Sequence, residues 1–231
     1  MKRIAFLATT LLCSGSLLAA DSNLKDDVTK AAKALEGKPN YSWKATYVVP
    51  DDSPFHPGPT EGKVQKDGLT DVKLSFNDNT TEFFVKGEKA AITNPDGGWQ
   101  SLSELDGSEG PGRFFAGMIR NFKTPAAQAA ETAGAVKEMK KDGDVYSGDL
   151  TEEGAKALLT FRRGGGTASN AKGSAKFWIK DGALTQFEFK VTGHVSWDGG
   201  DMDVDRKTTV EVKDVGTTKI EVPEDAKKKM S

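Results

Sequence analysis

The segment YSWKATYVV, residues 41–49, alternates large apolar side chains with polar ones over most of its length. Tyr41, Trp43 and Tyr47 occupy odd positions, whereas Lys44 occupies an even one. Successive side chains of a β-strand point to opposite faces of a sheet, so this pattern predicts a strand with one buried face. From this point of the chain we expect a half-buried sheet.

Further strands follow at a spacing of about ten residues, which is typical of an antiparallel meander. Turn signals such as Lys-Asp-Gly and Asn-Asp-Asn separate them. The predicted strands are 62–66, 71–76, 81–86, 89–93, 136–140, 145–150, 175–180, 183–191, 202–213 and 217–222. The Gly/Ser/Ala stretch 164–173 is predicted to be a loop, and Phe161 to end one more strand.

Helical periodicity occurs at the N-terminus and in the middle of the chain. Ser22 is predicted to cap a helix whose apolar stripe includes Val28 and Leu35. Residues 113–122 carry a bulky apolar face, and Thr124 before a proline predicts the start of a second helix over 126–135. A short helix is expected over 152–158. The two central helices interrupt the strands, so they form an insertion between two β meanders.

The first twenty residues have the layout of a secretory signal peptide. Lys2 and Arg3 precede the apolar run 4–12, and small residues lead to a predicted cleavage site after Ala20. Cys13 follows Leu12 rather than a small residue, so lipidation of Cys13 is not expected. We therefore expect an exported, periplasmic protein with a single domain over 21–231.

Charge and cysteine content restrict the function classes. The full chain has a formal charge of -2, and loss of Lys2 and Arg3 would bring it to -4. A mildly acidic chain does not suit nucleic-acid binding, which normally needs a basic face. After cleavage no cysteine would remain, so neither a disulfide nor a thiol nucleophile is expected. We expect a monomer without a cofactor.

No familiar catalytic or metal-binding motif occurs. His56 and His194 are far apart in sequence, and no Gly-x-Ser-x-Gly elbow is present. Asp201, Asp203 and Asp205 resemble half of a calcium loop, but Arg206 stands where glycine is needed. We therefore interpret these aspartates as the solvent face of a strand. A hydrolase whose catalytic residues are dispersed along the sequence stays a hypothesis, after the two given below.

The remaining distinctive feature is a set of apolar and aromatic residues on the strands and on helix 113–122. On a curved sheet they would line the concave face, and the helix would cover it. Of the adjacent pair Phe83 and Phe84, Phe84 is assigned to this face. The candidate ligand-binding residues are Trp43, Tyr47, Phe76, Phe84, Phe114, Phe115, Met118, Ile119, Phe122, Trp178, Phe187 and Phe189. The same set could be a filled core, which is the safer interpretation for any single residue, or the walls of a cavity.

Several short motifs together resemble a known family. They are Tyr41-x-Trp43, Val145-Tyr-Ser-Gly148, Phe177-Trp-Ile-Lys-Asp-Gly182 and Ile220-Glu-Val-Pro223. In this order around a helical insertion, they resemble the LolA/LolB and LppX-like superfamily of periplasmic lipid and lipoprotein carriers. The lipoprotein carriers have an Arg-Pro pair on an early strand, and the segment 62–69 has neither residue, so no gating role is transferred.

The resemblance implies a mainly β (α+β) fold in which a curved antiparallel sheet forms an unclosed β-barrel. It implies that the N-terminal helix and the central helical insertion cover the open side, and that no catalysis occurs. The expected ligand is a lipid or acyl group held between sheet and helices. The alternative is an envelope protein-protein interaction module with a filled core, for which the Pro-rich loop 50–59 around Phe55 is the first surface to test.

Overall fold

The computed structural model describes residues 16–76, 79–94, 96–107, 110–160, 166–197 and 200–231. Within these ranges, one sheet contains the strands β1 (Asn40–Val48), β2 (Thr60–Gln65), β3 (Thr70–Phe76), β4 (Asn79–Lys86), β5 (Lys89–Thr93), β6 (Trp99–Ser101), β7 (Lys140–Asp142), β8 (Val145–Asp149), β9 (Thr167–Lys180), β10 (Ala183–Trp197) and β11 (Gly200–Lys213). The helices of the same ranges are α1 (Ser16–Glu36), α2 (Leu102–Asp106), α3 (Pro111–Arg120), α4 (Pro125–Gly134), α5 (Glu152–Thr160) and α6 (Glu224–Lys229).

The strand order is β6-β5-β4-β3-β2-β1-β11-β10-β9-β8-β7, and the strand pairs are antiparallel. Strands β6 and β7 are the two edges, and helices α2, α3 and α4 occupy the chain between them. The sheet is therefore not closed, and the helical insertion connects its two edges. The predicted mainly β, unclosed half-barrel with helices is confirmed.

The inner face of the sheet holds the main core. On β1, Tyr41, Trp43 and Ala45 are buried at alternate positions, as their period of two predicts. Helix α1 buries a stripe that includes Val28 and Leu35, and it packs against α4, β9 and β10. Helix α4 faces it with alanines, whose small side chains allow two helices to approach closely.

The outer face carries a smaller apolar cluster. Phe84, Ala91 and Ala226 are buried there, and Ile220 and Val222 pack against them. The predicted strand 217–222 is wrong, because these residues form no strand. Their apolar side chains lie half-buried on the outside of β4 and β5 rather than in a strand at a sheet edge, and α6 follows.

Three other sequence predictions need correction. Ser22 lies inside α1, which begins at Ser16 because the residues before Ser22 continue the helix. The predicted loop 164–173 is strand from Thr167 onward. A Cβ on Gly173 would lie 2.6 Å from the Lys190 carbonyl oxygen, so the small residues there serve close packing rather than flexibility. The predicted strand 136–140 reduces to a bridge of Val136 with Leu150, and β7 begins at its last residue.

Two of the sequence predictions concern residues outside the described ranges. These are Phe161 and most of the predicted signal peptide, residues 1–15. Cleavage near Ala20 and the single domain 21–231 therefore stay predictions. Among the described helices, none combines the length and the apolar character that a membrane crossing requires.

Asp71 on the outer face provides a test of stability against pH. Its side chain is only 7% exposed, and Lys63 Nζ lies 3.9 Å away. Burial, and after it the charge of Glu82, raises the pKa of the Asp71 carboxyl to about 6. Because the folded state then holds this proton more tightly than the unfolded state, the contribution of Asp71 to stability falls as the pH rises from about 4 to about 6.

We therefore expect Asp71→Asn to be more favourable, relative to the wild type, at about pH 7.5 than at about pH 4.5, by on the order of 1–3 kcal/mol. Urea denaturation of both proteins at the two pH values measures the difference. The exposed pair Lys44 and Glu61 supplies the control, since Glu61→Gln should not produce a gain that grows with pH. An equal effect of Asp71→Asn at both pH values would contradict the raised pKa.

Candidate ligand-binding cavity

An open cavity of about 780 Å³ lies at one end of the half-barrel. Its walls come from the loop after β1, from β3, α3 and α5, and from the β10–β11 hairpin. The lining residues are Val49, Pro50, Asp52, Ser53, Pro54, Phe55, Leu74, Phe114, Met118, Leu159, Trp197, Met202, Asp203, Val204, Asp205 and Arg206. Phe114 and Phe55 are 46% and 38% exposed, which places apolar side chains at a solvent-accessible opening.

A second, smaller space of about 80 Å³ lies next to this cavity along the inner face of the sheet. Leu74, Met118 and Arg206 line both spaces, so the two share a wall. The other lining residues of the inner space are Trp43, Ala45, Tyr47, Thr60, Val72, Phe83, Phe122, Lys123, Pro125, Gln128, Leu158, Phe189, Thr208 and Val210. Both spaces therefore lie between the sheet and the helices α3 and α5, and the start of α4 also lines the inner one.

Aromatic packing narrows the inner space. The Trp43 and Phe122 rings stack with centroids 6.4 Å apart, and Phe83 meets the Phe122 ring edge-on at 5.7 Å. The Trp43 ring also lies directly over Gly62, where a Cβ would come within 2.5 Å of the indole. Glycine at that position lets the indole lie flat on β2. These contacts join the loop after α3 to the sheet.

The structure brings together half of the residues that the sequence analysis proposed. Six of them line the two spaces, namely Trp43, Tyr47, Phe114, Met118, Phe122 and Phe189. Phe115, Ile119 and Phe187 instead pack into the core beside the cavity. The Phe187 ring stacks between Phe177 and Phe189, each at 6.4 Å. The side chain of Phe76 lies outside the described part of the chain.

Phe84 and Trp178 are on the opposite face of the sheet, so their predicted position was wrong. Phe84 is buried in the outer cluster, with its ring 5.4 Å from that of Trp99. Its neighbour Phe83 points inward and lines the cavity. In the same way Phe177 is in the inner core, and Trp178, the next residue of β9, points outward by strand alternation. In each case the adjacent aromatic residue is the one that points inward.

The sequence analysis missed the wall that β11 contributes. Met202, Val204 and Arg206 alternate with the exposed aspartates of the same strand. The aspartates were recognised as a solvent face, and that interpretation agrees with the exposure of Asp201 and Asp203. The signal for the inner wall was thus present in the residues between them, which a strand must turn to the other side.

Two of the aspartates of β11, Asp201 and Asp203, contact His194. The Nδ1 atom of His194 is 3.0 Å from Asp203 Oδ1, and its Nε2 atom is 3.5 Å from Asp201 Oδ2. The hydrogen bond with Asp203 raises the pKa of His194 above its ordinary value. Within the described residues, no three His, Cys, Asp or Glu side chains are grouped closely enough to hold a metal ion.

The sequence and the structure were compared with those of known proteins. No protein-family model matches the sequence, and no curated protein matches it either. The lipoprotein LppX from Mycobacterium tuberculosis aligns in structure with a TM-score of 0.51 and 13% identity, over 87% of this chain and 98% of that one. LprF from Mycobacterium bovis aligns with a TM-score of 0.48 and 13% identity, over 89% and 98% of the two chains.

A LolA superfamily protein from Nitrosomonas europaea aligns more loosely, with a TM-score of 0.34 and 7% identity over 87% of this chain and 94% of that one. At such identities the comparisons concern the fold alone. The alignment with LppX covers most of both chains, and it agrees with the open antiparallel sheet and the helices between its two edges. The chain therefore has a fold similar to that of LppX, as the sequence resemblance implied.

Proposed function

We propose that this protein is an exported, non-enzymatic binding protein that holds a lipid or an acyl group between its curved sheet and helices α3 and α5. The observation that carries the proposal is the open cavity of about 780 Å³ with its largely apolar walls. Ligand cavities commonly measure about 300–1,000 Å³, with apolar walls and a few polar groups. The placement in the cell envelope rests on the signal-peptide pattern of residues 1–20.

The shape of the cavity suits a flexible chain better than a compact polar molecule. Its wide part is bounded by Phe55, Phe114 and Trp197, and its narrow part is bounded by aromatic rings. Met118 lies where the two parts meet, and the unbranched methionine side chain adapts readily to different apolar partners. An acyl chain would enter at the wide part and direct its end toward Trp43.

The chemistry of the lining supports binding rather than catalysis. The hydroxyls of Tyr47 and Thr60 hydrogen-bond to each other at 2.9 Å, which is a structural pairing and not a nucleophile beside a base. His194 contacts Asp201 and Asp203, whose side chains are exposed, and among the residues that the structure describes no nucleophile is paired with it there. A panel of ester and amide substrates tests the remaining hydrolase hypothesis, and turnover above background would overturn the non-enzymatic proposal.

The first experiment is native mass spectrometry of protein purified from its own envelope, followed by organic extraction. We expect a co-purifying lipid or acyl species, and the extract identifies it. Apo protein that takes up neither fatty acid nor phospholipid would contradict the proposal.

A charged residue at the mouth tests whether the cavity is the site. We expect Phe114→Asp to weaken lipid binding at least ~10-fold, because a carboxylate would replace an apolar wall. The matched control is Val215→Asp, since Val215 is similarly exposed, at 44%, and lies outside the cavity. Fluorescent fatty-acid titration of both variants measures the difference, and equal losses would place the site elsewhere.

The second candidate function is an envelope interaction module. It is favoured by Phe55, an exposed aromatic residue in a loop crowded with prolines. Deletion of residues 51–57 should then remove a partner from pull-downs while lipid uptake stays unchanged. Loss of lipid uptake with an unchanged set of partners would favour the binding protein instead.

A further inference from the structure

Arg206 is a cationic residue on the apolar inner wall of the cavity. Along β11 the inward positions are Met202, Val204, Arg206, Thr208 and Val210, so the guanidinium interrupts a row of apolar residues and one threonine. Arg206 is half-buried and lines both the wide part and the inner part. A charge in such a wall costs solvation free energy that an apolar residue would not cost.

The position of the guanidinium is fixed by α5. Its Nη2 atom donates a hydrogen bond of 2.9 Å to the carbonyl oxygen of Leu158, in the last turn of that helix. The negative end of the helix dipole lies there, so the contact is favourable and orients the group. Arginine carries five N–H donors in a planar fork, a geometry that matches the oxygens of a carboxylate or phosphate.

Three aspartates, Asp52, Asp203 and Asp205, line the wide part together with Arg206, and all three are exposed residues. Asp203 is 94% exposed at its side chain and contacts His194, and Asp205 is ion-paired with Lys190 at 3.3 Å on the opposite face. These carboxylates face solvent, where their effect on a buried group is screened. Lys123, which lines the inner part, is ion-paired with Glu131.

We propose that Arg206 selects an anionic amphiphile, namely an acyl chain whose carboxylate or phosphate head binds the guanidinium while the chain occupies the apolar cavity. This inference rests on the proposed function and deepens it, because it specifies the chemical class of the ligand. A neutral acyl compound of equal length fills the same apolar walls but offers no anion to the guanidinium. The protein therefore distinguishes ligands by their heads and not by their chains.

The test compares sodium palmitate, palmitoyl lysophosphatidic acid and methyl palmitate, at a pH where the first two are ionised. Each competes with a fluorescent apolar probe on wild-type protein, Arg206→Met, Arg206→Lys and Lys207→Met. Methionine keeps an unbranched apolar side chain without the charge. Lys207 is adjacent in β11 but on the outer face beside Glu188, so its variant controls for net charge.

We expect the wild type and Lys207→Met to bind the two anions at least ~10-fold more tightly than the neutral ester. The affinity of Arg206→Met for the two anions should be ~10–100-fold lower than that of the wild type, and its affinity for the ester should change by less than about threefold. Arg206→Lys should still bind the anions more tightly than the ester, but with a smaller ratio between the two affinities. The ratio within each variant does not depend on the folded fraction, so a modest loss of stability leaves the test valid.

The outcomes separate the two proposals. If Arg206→Met weakens the binding of the anions and of the ester equally, or weakens neither, the proposed selection of anions is wrong while lipid binding stands. If the wild type binds none of the three compounds, the proposed function fails and this inference fails with it. A larger loss for the phosphate than for the carboxylate assigns the natural ligand to phospholipid headgroups, and the reverse assigns it to free fatty acids.

Discussion

Replacing Phe187 with alanine is expected to lower the free energy of unfolding by about 3–5 kcal/mol. The Phe187 ring is fully buried between Phe177 and Phe189, so truncation leaves a cavity in the packed core. Urea denaturation followed by circular dichroism measures the loss. The sequence analysis placed Phe187 in the ligand site, and the structure places it in the core beside that site.

Phe114→Ala is the control for this prediction, because it removes the same ring from a residue that is 46% exposed. Phe114→Ala should lower the free energy of unfolding by less than about 1 kcal/mol. Phe187→Ala should also leave ligand affinity nearly unchanged under conditions where the variant is folded. Similar costs at the two positions would show that the stacked phenylalanines are not the rigid part of the molecule.

Replacing Met118 with tryptophan is expected to reduce the affinity for an acyl ligand at least ~10-fold while the protein remains folded. Met118 lines the wide part and the inner part of the cavity, so an indole there would fill the junction between them. A space is already present at this position, and the larger side chain therefore need not displace the packed core. Displacement of a fluorescent fatty acid measures the affinity, and thermal unfolding checks the fold.

The matched control is Met230→Trp, the same chemical change at the end of α6. Met230 packs against the cluster on the outer face of the sheet, away from the cavity. The affinity of the Met230→Trp variant for the fatty acid should equal that of the wild type. A loss of affinity in both variants, or in neither, would be inconsistent with ligand binding at the junction of the two spaces.

Regular periodicity made most elements predictable. The alternation in residues 41–49 predicted β1, and the Thr124-Pro125 pair predicted the start of α4, where the Thr124 hydroxyl accepts from the Ala127 backbone N–H. These are local signals, because side-chain direction in a strand and capping at a helix end depend on neighbours in the sequence. The first meander, up to β5, was predicted nearly residue by residue for the same reason.

Predictions failed where a distant part of the chain decided the outcome. Phe83 and Phe84 are identical in chemistry, and Phe84 points outward because Ile220 and Val222 return to cover that face. The glycines after residue 164 indicate a loop by composition, yet Gly173 belongs to β9 because Leu150 and Lys190 pack closely on it. In both cases the deciding contact lies more than ten residues away in the chain.

The sequence alone determined the strands of the first meander, the helical insertion and the class of fold, because alternation and capping are properties of neighbouring residues. The tertiary structure decided which aromatic side chains fill the core and which line a space. It also decided that Arg206 stands in the wall of that space. Whether an apolar surface is filled or hollow depends on the distance between packed elements, which no local pattern specifies.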